Sequence, residues 1–260
     1  MTVHVYTVGT DRNMMGSIIE TEKLYDVKVN YLMPKEWYGF YTKINETNKV
    51  IQNLDDDDIL LFIDCYDIMI NSNMDEIINK FKSFNCNLLI SAELVCFPDY
   101  LQDKMDKTPP FNIKNKYPNA GGYIGYVKDV KKMMNWKDEE VKKAMCEKGT
   151  DQAYVINYYC ENCNNENIKL DTNAQIFQSL HAVSWQEFEI KNGRVHNTVL
   201  KTTPCFLHFN GGSMICDPRA DIRWTFLDKI FKSKAQPDET FKIEGVKQCF
   251  WKTGVALSQI

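Results

Sequence analysis

Short apolar runs alternate along the chain with segments whose apolar residues recur every three to four positions. Residues 3–8, 27–32, 59–63, 87–92 and 123–127 read as strands; residues 13–25, 41–53, 73–84, 129–136 and 151–159 read as helices. The run Ile59-Leu60-Leu61-Phe62-Ile63 has no polar alternation, as expected of a central strand covered on both faces. Ser72 or Asn73 offers an N-cap to the helix that follows. Residues 168–170 and 204–209 read as short later strands, and 221–231 as a helix. This order predicts an α/β fold, a mostly parallel sheet with helices on both faces. Residues 99–119, rich in Pro, Lys and Asn, read as a loop over the sheet. Beyond residue 215 the pattern weakens. The economical division is one α/β domain over 1–215 and a C-terminal helical appendage over 216–260.

Composition narrows the class without naming a function. Of the 260 residues 44% are hydrophobic and 25% charged, a profile that suits a soluble domain with a sizeable core. The net charge of −4 argues against a nucleic-acid partner reached through a broad basic face. No apolar run approaches the ~20 residues of a membrane span. The opening MTVHVYTVGT has no basic n-region, so no secretory signal is expected and the expected setting is intracellular: cytoplasmic, or a viral protein in its host. Nine cysteines, odd in number and scattered, read as reduced residues; the Cys160/Cys163 pair has no second Cys/His pair to complete a zinc site. The oligomeric state stays open, a homodimer included.

The chemistry gathers at strand ends. Asp64 and Asp67 follow directly on the buried 59–63 run, where open α/β sheets bind ligands. Three apart on a turn, they can aim oxygens at one point, and two such carboxylates repel unless a cation or proton lies between them. A hard divalent cation fits, and it leaves positions for phosphate oxygens. Capping of the next turn is the plain alternative. The acidic run 55–58 precedes the strand, at the wrong end for a ligand crevice, and reads as a solvated turn. The apolar strand ending in His208-Phe209-Asn210-Gly211-Gly212 could add a metal ligand and a close backbone approach to phosphate. His208 also reads as a hydrogen-bonded core histidine, as do His4, His181 and His196. Asn119-Ala120-Gly121-Gly122 precedes a strand and reads as a tight turn or as a close backbone approach with Asn119 on a sugar hydroxyl. Glu93, after Ser91-Ala92, is open to substrate contact, a cap or a salt bridge.

Taken in order, several pieces resemble the glycosyltransferase domain of the procollagen lysyl hydroxylase (PLOD) family. They are Tyr6-Thr7-Val8-Gly9-Thr10, Glu36-Trp37, Phe62-Ile63-Asp64-Cys65-Tyr66-Asp67, Ser91-Ala92-Glu93, residues 117–125, Thr150-Asp151-Gln152, Leu170-Asp171, Ile176-Phe177-Gln178 and His208-Phe209-Asn210-Gly211. The resemblance implies a GT-A fold, a UDP-sugar donor and Mn²⁺ held by Asp64, Asp67 and His208. It implies Thr7 and Thr10 near the uridine, Trp37 and Tyr66 flanking the nucleotide, and Lys43 toward the diphosphate; Asn210 and Gly211 are further donor-binding candidates. It places Asp151, Glu93 and Asn119 toward the transferred sugar or acceptor. It implies a retaining enzyme moving glucose from UDP-glucose to galactosyl-hydroxylysine of a collagen-like polypeptide. UDP-galactose transfer to hydroxylysine and an inactive UDP-sugar-binding module are the alternatives. The chain departs from the family at Gly39-Phe40-Tyr41-Thr42, bulkier than the family's glycine-rich segment, and at Phe97, in place of a tryptophan.

Overall fold

In the computed structural model, residues 1–211 and 222–244 are described, together with the backbone of 249–252 and 255–258. The chain runs through β1 (Val3–Val8), α1 (Gly16–Tyr25), β2 (Asn30–Leu32), α2 (Tyr41–Ile51), β3 (Ile59–Ile63), β4 (Ile68–Ile70), α3 (Met74–Ser83) and β5 (Leu88–Glu93). Next come α4 (Gln102–Asp106), β6 (Tyr117–Tyr126), α5 (Val127–Met134), α6 (Glu139–Asn162), β7 (Ile168–Asp171) and β8 (Phe177–Ser179). The chain continues with β9 (Phe188–Lys191), β10 (Arg194–Asn197), β11 (Phe206–His208), α7 (Ile222–Ala235) and β12 (Phe241–Lys242). An antiparallel pair, β13 (Cys249–Lys252) and β14 (Val255–Ser258), ends it.

Six strands form the central sheet in the order β2-β1-β3-β6-β5-β7. β1 runs parallel to β2 and β3, and β5 parallel to β7. β6 lies antiparallel between β3 and β5. The unbroken apolar run of β3 follows from this central place. Ile59, Leu61 and Ile63 pack with Ile18, Ile77 and Phe81 on one face. Leu60 and Phe62 pack with Ile44, Ile51 and Tyr154 on the other. Each such side chain contributes about 1.5–3 kcal/mol on burial. Asn73 caps α3 through its side chain, which accepts from the Glu76 N–H at 3.0 Å.

The structure corrects the sequence reading in three places. Residues 99–119 are not a plain loop: they hold a helical turn, α4 and the start of β6. β6 is ten residues long and takes in Asn119, Gly121 and Gly122, so these sit in a strand rather than a tight turn. Pairing on both sides holds it extended, although its polar and glycine residues hide the strand period. Its register against β5 jumps from Ile90↔Tyr123 to Ser91↔Asn119, so residues 120–122 leave that ladder as a bulge. Third, Asp58 is not solvated like Asp55–Asp57; it is buried, accepts from the Thr2 N–H and lies 3.0 Å from His4 Nε2.

A second sheet, β4-β11-β8, and a third, β10-β9-β12, adjoin the first. α7 buries Ile222, Phe226 and Ile230 with Trp185, Phe188 and Phe209, and β12 extends β9, so these parts beyond residue 215 pack on the same body. The boundary expected at 215/216 and the expected Gly212 lie outside the described residues. Among the described residues no helix is long and apolar enough to cross a membrane.

Candidate functional site

The end of β3 delivers Asp64, and the short pairing of β4 with β11 delivers the other two members of its cluster. Asp64 N–H donates to Gly121 O at 3.0 Å, and Phe209 N–H to Asp67 O at 2.8 Å. Ile68 pairs with His208 across the β4–β11 ladder, which sets the imidazole beside Asp67. His208 Nε2 lies 3.2 Å from Asp67 Oδ2 and 3.6 Å from Asp64 Oδ2. One ligand atom from each of the three residues lies within 4.8 Å of the others. Burial works against charge on Asp67, but His208, with Lys43 and Arg223, outweighs it and lowers the carboxyl below its usual range. Burial likewise opposes protonation of His208, and Asp67 and Asp64 outweigh it, raising the imidazole. Among the described residues, His208 Nδ1 is buried without a hydrogen-bond partner.

Gly121 makes this convergence possible. A Cβ there would stand 2.1 Å from His208 Cε1 and 2.8 Å from Asp64 Oδ2. Two carboxylates and an imidazole aimed at one point, in a cradle that a methyl group would fill, form a donor set that could hold a divalent cation.

A cavity of about 700 Å³ opens over this cluster, walled also by Lys43, Glu93, Phe97, Asn119, Asp151 and Gln152. The Lys43 ammonium sits 2.7 Å from Asp64 Oδ1 and 2.7 Å from Asp151 Oδ2, one cation shared by two carboxylates. Burial disfavours this ammonium, yet Asp151 and Asp64 together raise its pKa. Asp151 is raised by burial and by Asp64, against the pull of Lys43. Asp151 owes its place to a kink in α6. Gly149 and Thr150 leave helical geometry, with Thr150 at φ 66° and ψ 177°. Thr150 Oγ1 then accepts from the Gln152 N–H at 3.2 Å, capping a fresh helix start whose positive end faces the cavity.

Glu93 is the hub of the remaining wall. Its Oε1 accepts from Asn119 Nδ2 at 2.9 Å and Gln152 Nε2 at 2.6 Å, and its Oε2 from Asn210 Nδ2 at 2.8 Å. Burial raises its pKa, against these amide hydrogen bonds. Asn119 Oδ1 accepts from the Gly121 N–H at 2.9 Å, which links this network to the metal-type cluster.

Of the residues expected from sequence, Lys43, Asp64, Asp67, Glu93, Asn119, Asp151, His208, Asn210 and Gly211 line this one cavity. Thr7, Thr10, Trp37 and Tyr66 do not. Thr7 is fully buried in β1. Tyr66 turns its hydroxyl to the loop after β1, accepting from the N–H groups of Thr10 at 2.7 Å and Asp11 at 3.0 Å. Trp37 is half-exposed and meets Phe40 edge-on. Gln152 and His181 line the cavity without having been singled out as site residues. Gln152 follows Asp151 on the new helix start, a signal that could have been read. His181 reads from sequence as a core histidine and carries no such signal.

Residues 2–216 match the PLOD GT domain. The chain is 28% identical over 232 residues to procollagen-lysine,2-oxoglutarate 5-dioxygenase of Drosophila melanogaster, covering 82% of this chain and 31% of that protein. It is 28% identical over 229 residues to multifunctional procollagen lysine hydroxylase and glycosyltransferase of Caenorhabditis elegans, covering 80% and 30%. An uncharacterized protein of Acanthamoeba polyphaga mimivirus is 26% identical over 171 residues, covering 65% and 35%. The chain thus spans about a third of the length of these relatives. The family match covers the central sheet, the Asp64–Asp67–His208 cluster and the cavity above it, and the chain belongs to the PLOD GT domain family.

Proposed function

We propose that the protein is a Mn²⁺-dependent, retaining hexosyltransferase that moves glucose from UDP-glucose to galactosyl-hydroxylysine on collagen-like chains. The observation that carries this reading is the convergence of Asp64, Asp67 and His208 beneath a cavity of about 700 Å³ with Lys43 and Asp151 on its wall. The name of the Caenorhabditis relative, a lysine hydroxylase and glycosyltransferase, supports the reaction class.

Asp64, Asp67 and His208 would hold the cation. A divalent cation there supplies neutralisation of the charge that builds on the departing diphosphate. Lys43, kept charged by its two carboxylates, brings a second positive group to the same wall. Asp151 stabilises positive charge at the anomeric carbon or positions the acceptor. Glu93, Asn119, Gln152 and Asn210 are locked to one another and present a fixed set of polar atoms to sugar hydroxyls. In a retaining transfer the departing diphosphate takes the acceptor proton, so no side chain is assigned as base. Thr10, Tyr66 and Trp37 lie on the nucleotide side in this reading, with Gly211 near the phosphates.

The test is a donor screen. The purified protein is incubated with Mn²⁺ and each UDP-sugar, with and without deglucosylated collagen, and UDP release is measured. Release that needs both UDP-glucose and acceptor is expected. Binding of UDP without any transfer would reduce the protein to a binding module, and equal release without acceptor would make it a hydrolase. Preference for UDP-galactose would replace the donor.

A further inference from the structure

His181 has a defined place on the cavity wall that neither its sequence position nor the roles above account for. Contacts among the described residues fix it. Leu180 N–H donates to His208 O at 2.9 Å, tying the end of β8 to the end of β11. His181 N–H donates to Asn210 Oδ1 at 3.1 Å. Its ring lies against Gly211, where a Cβ would stand 3.0 Å from both Cγ and Nδ1, and Gly211 has φ +61°. β8 is anchored in turn, because the buried Asp171 carboxylate accepts from Ile176 N–H at 2.7 Å and Phe177 N–H at 2.8 Å. His181 Nδ1 lies 3.9 Å from Glu93 Oε2, a carboxylate already fixed by three amides. The imidazole is only 14% exposed, and His181 is part of the cavity lining.

We propose that His181 is a specificity-determining residue that hydrogen-bonds a hydroxyl of the hexose carried on the donor. The inference rests on the sugar-transfer reading of the cavity. The segment that cradles His181, residues 208–211, also supplies the histidine of the cation cluster. A diphosphate held at that cluster would carry its hexose into the same cavity, whose wall includes His181. An imidazole offers a donor or an acceptor there, and a site built to pair a hydroxyl discriminates against a sugar that places it differently.

Bare UDP carries no hexose, and this separates a sugar contact from a structural role. His181→Ala should bind UDP with Mn²⁺ as the wild type does. It should lose roughly 10- to 100-fold in kcat/KM for the preferred UDP-hexose. Its ratio of UDP-glucose to UDP-galactose turnover should shift by about tenfold or more. His181→Asn, which keeps hydrogen-bonding atoms, should recover part of the loss; His181→Phe should not. Unchanged kcat/KM and donor ratio in an active His181→Ala protein would overturn the inference alone. So would UDP affinity falling in step with turnover. A wild-type protein that transfers no hexose would overturn the proposed function and this inference with it.

Discussion

Gly121→Ala tests the cation cluster without altering any residue in it. The added Cβ would stand 2.1 Å from His208 Cε1, 2.8 Å from His208 Nδ1 and 2.8 Å from Asp64 Oδ2. Carbon atoms in contact prefer about 3.5–4.0 Å, so the ring must retreat by about 1.4 Å or more. β6 is held at this point from the β3 side, where Gly122 pairs with Ile63 and Gly121 O accepts from the Asp64 N–H, although residues 120–122 leave the β5 ladder. Overpacking of this kind costs about 1–3 kcal/mol, a fall in Tm of roughly 2–10 °C for a chain of this size. The larger effect should be on the ligand triangle, since retreat of His208 lengthens its 3.2 Å approach to Asp67. A misaligned ligand costs at least roughly 10- to 100-fold in metal affinity. Calorimetry of UDP binding with and without Mn²⁺ reads this directly, and thermal unfolding reads the packing cost. Gly122→Ala is the control, because its Cβ would meet Phe177 at 2.6 Å, away from the ligands. It should lower Tm but keep metal-dependent UDP binding. Wild-type Mn²⁺ dependence in Gly121→Ala, or equal loss in both variants, would refute the reasoning.

Asp67→Ala should abolish metal-dependent UDP binding; tight Mn²⁺-dependent binding in that variant would dismiss the cluster as a metal site. Asp151→Ala should spare UDP binding and lower transfer by about 10²-fold or more, and a wild-type turnover number would show that the sugar side is misplaced. Glu76 is partly buried; Arg194 and Lys80 outweigh that burial and lower its pKa from 4.5 to about 2. A depressed carboxylate adds stability that is present above pH 4.5 and lost as pH falls toward 2. Glu76→Gln should therefore flatten the acid limb of the stability curve in that window, by about 1–2 kcal/mol after allowance for solvent screening. An unchanged acid limb in denaturant titrations would contradict this. Thr150→Gly should relieve about 1–3 kcal/mol of backbone strain, against a cap worth a few tenths and a glycine cost of about 0.5–1 kcal/mol. Tm should rise slightly, and a clear fall would show that the cap dominates.

The central sheet was readable wherever burial on both faces wrote an unbroken apolar run, as at Ile59–Ile63. It was not readable at Tyr117–Gly122, where strand geometry is imposed by two neighbours rather than by side-chain period. Three-residue strands such as β4 and β8 are too short for any period to register, yet β4 carries the pairing that brings His208 to Asp67. For that reason local pattern left His208 open between ligand and core residue, and only the resemblance to a family pointed to the cluster. The Lys43 link to both Asp64 and Asp151 joins α2, the end of β3 and the α6 kink, and no window of sequence contains all three. His181 is legible only once β8 and β11 lie side by side.

The insertion of β6 between β3 and β5 has a consequence for how the protein is made. Until residues 117–126 are in place, β3 and β5 are two unjoined edges with nothing to set their spacing. The cluster then still lacks the glycine that lets its third member close in. The cluster residues span 64 to 208, so the pocket is a closure of distant chain rather than a local turn. Under the proposed function, metal affinity is therefore a gauge of tertiary completion: a chain can keep its helices and still lack the cluster, which needs both sheets assembled.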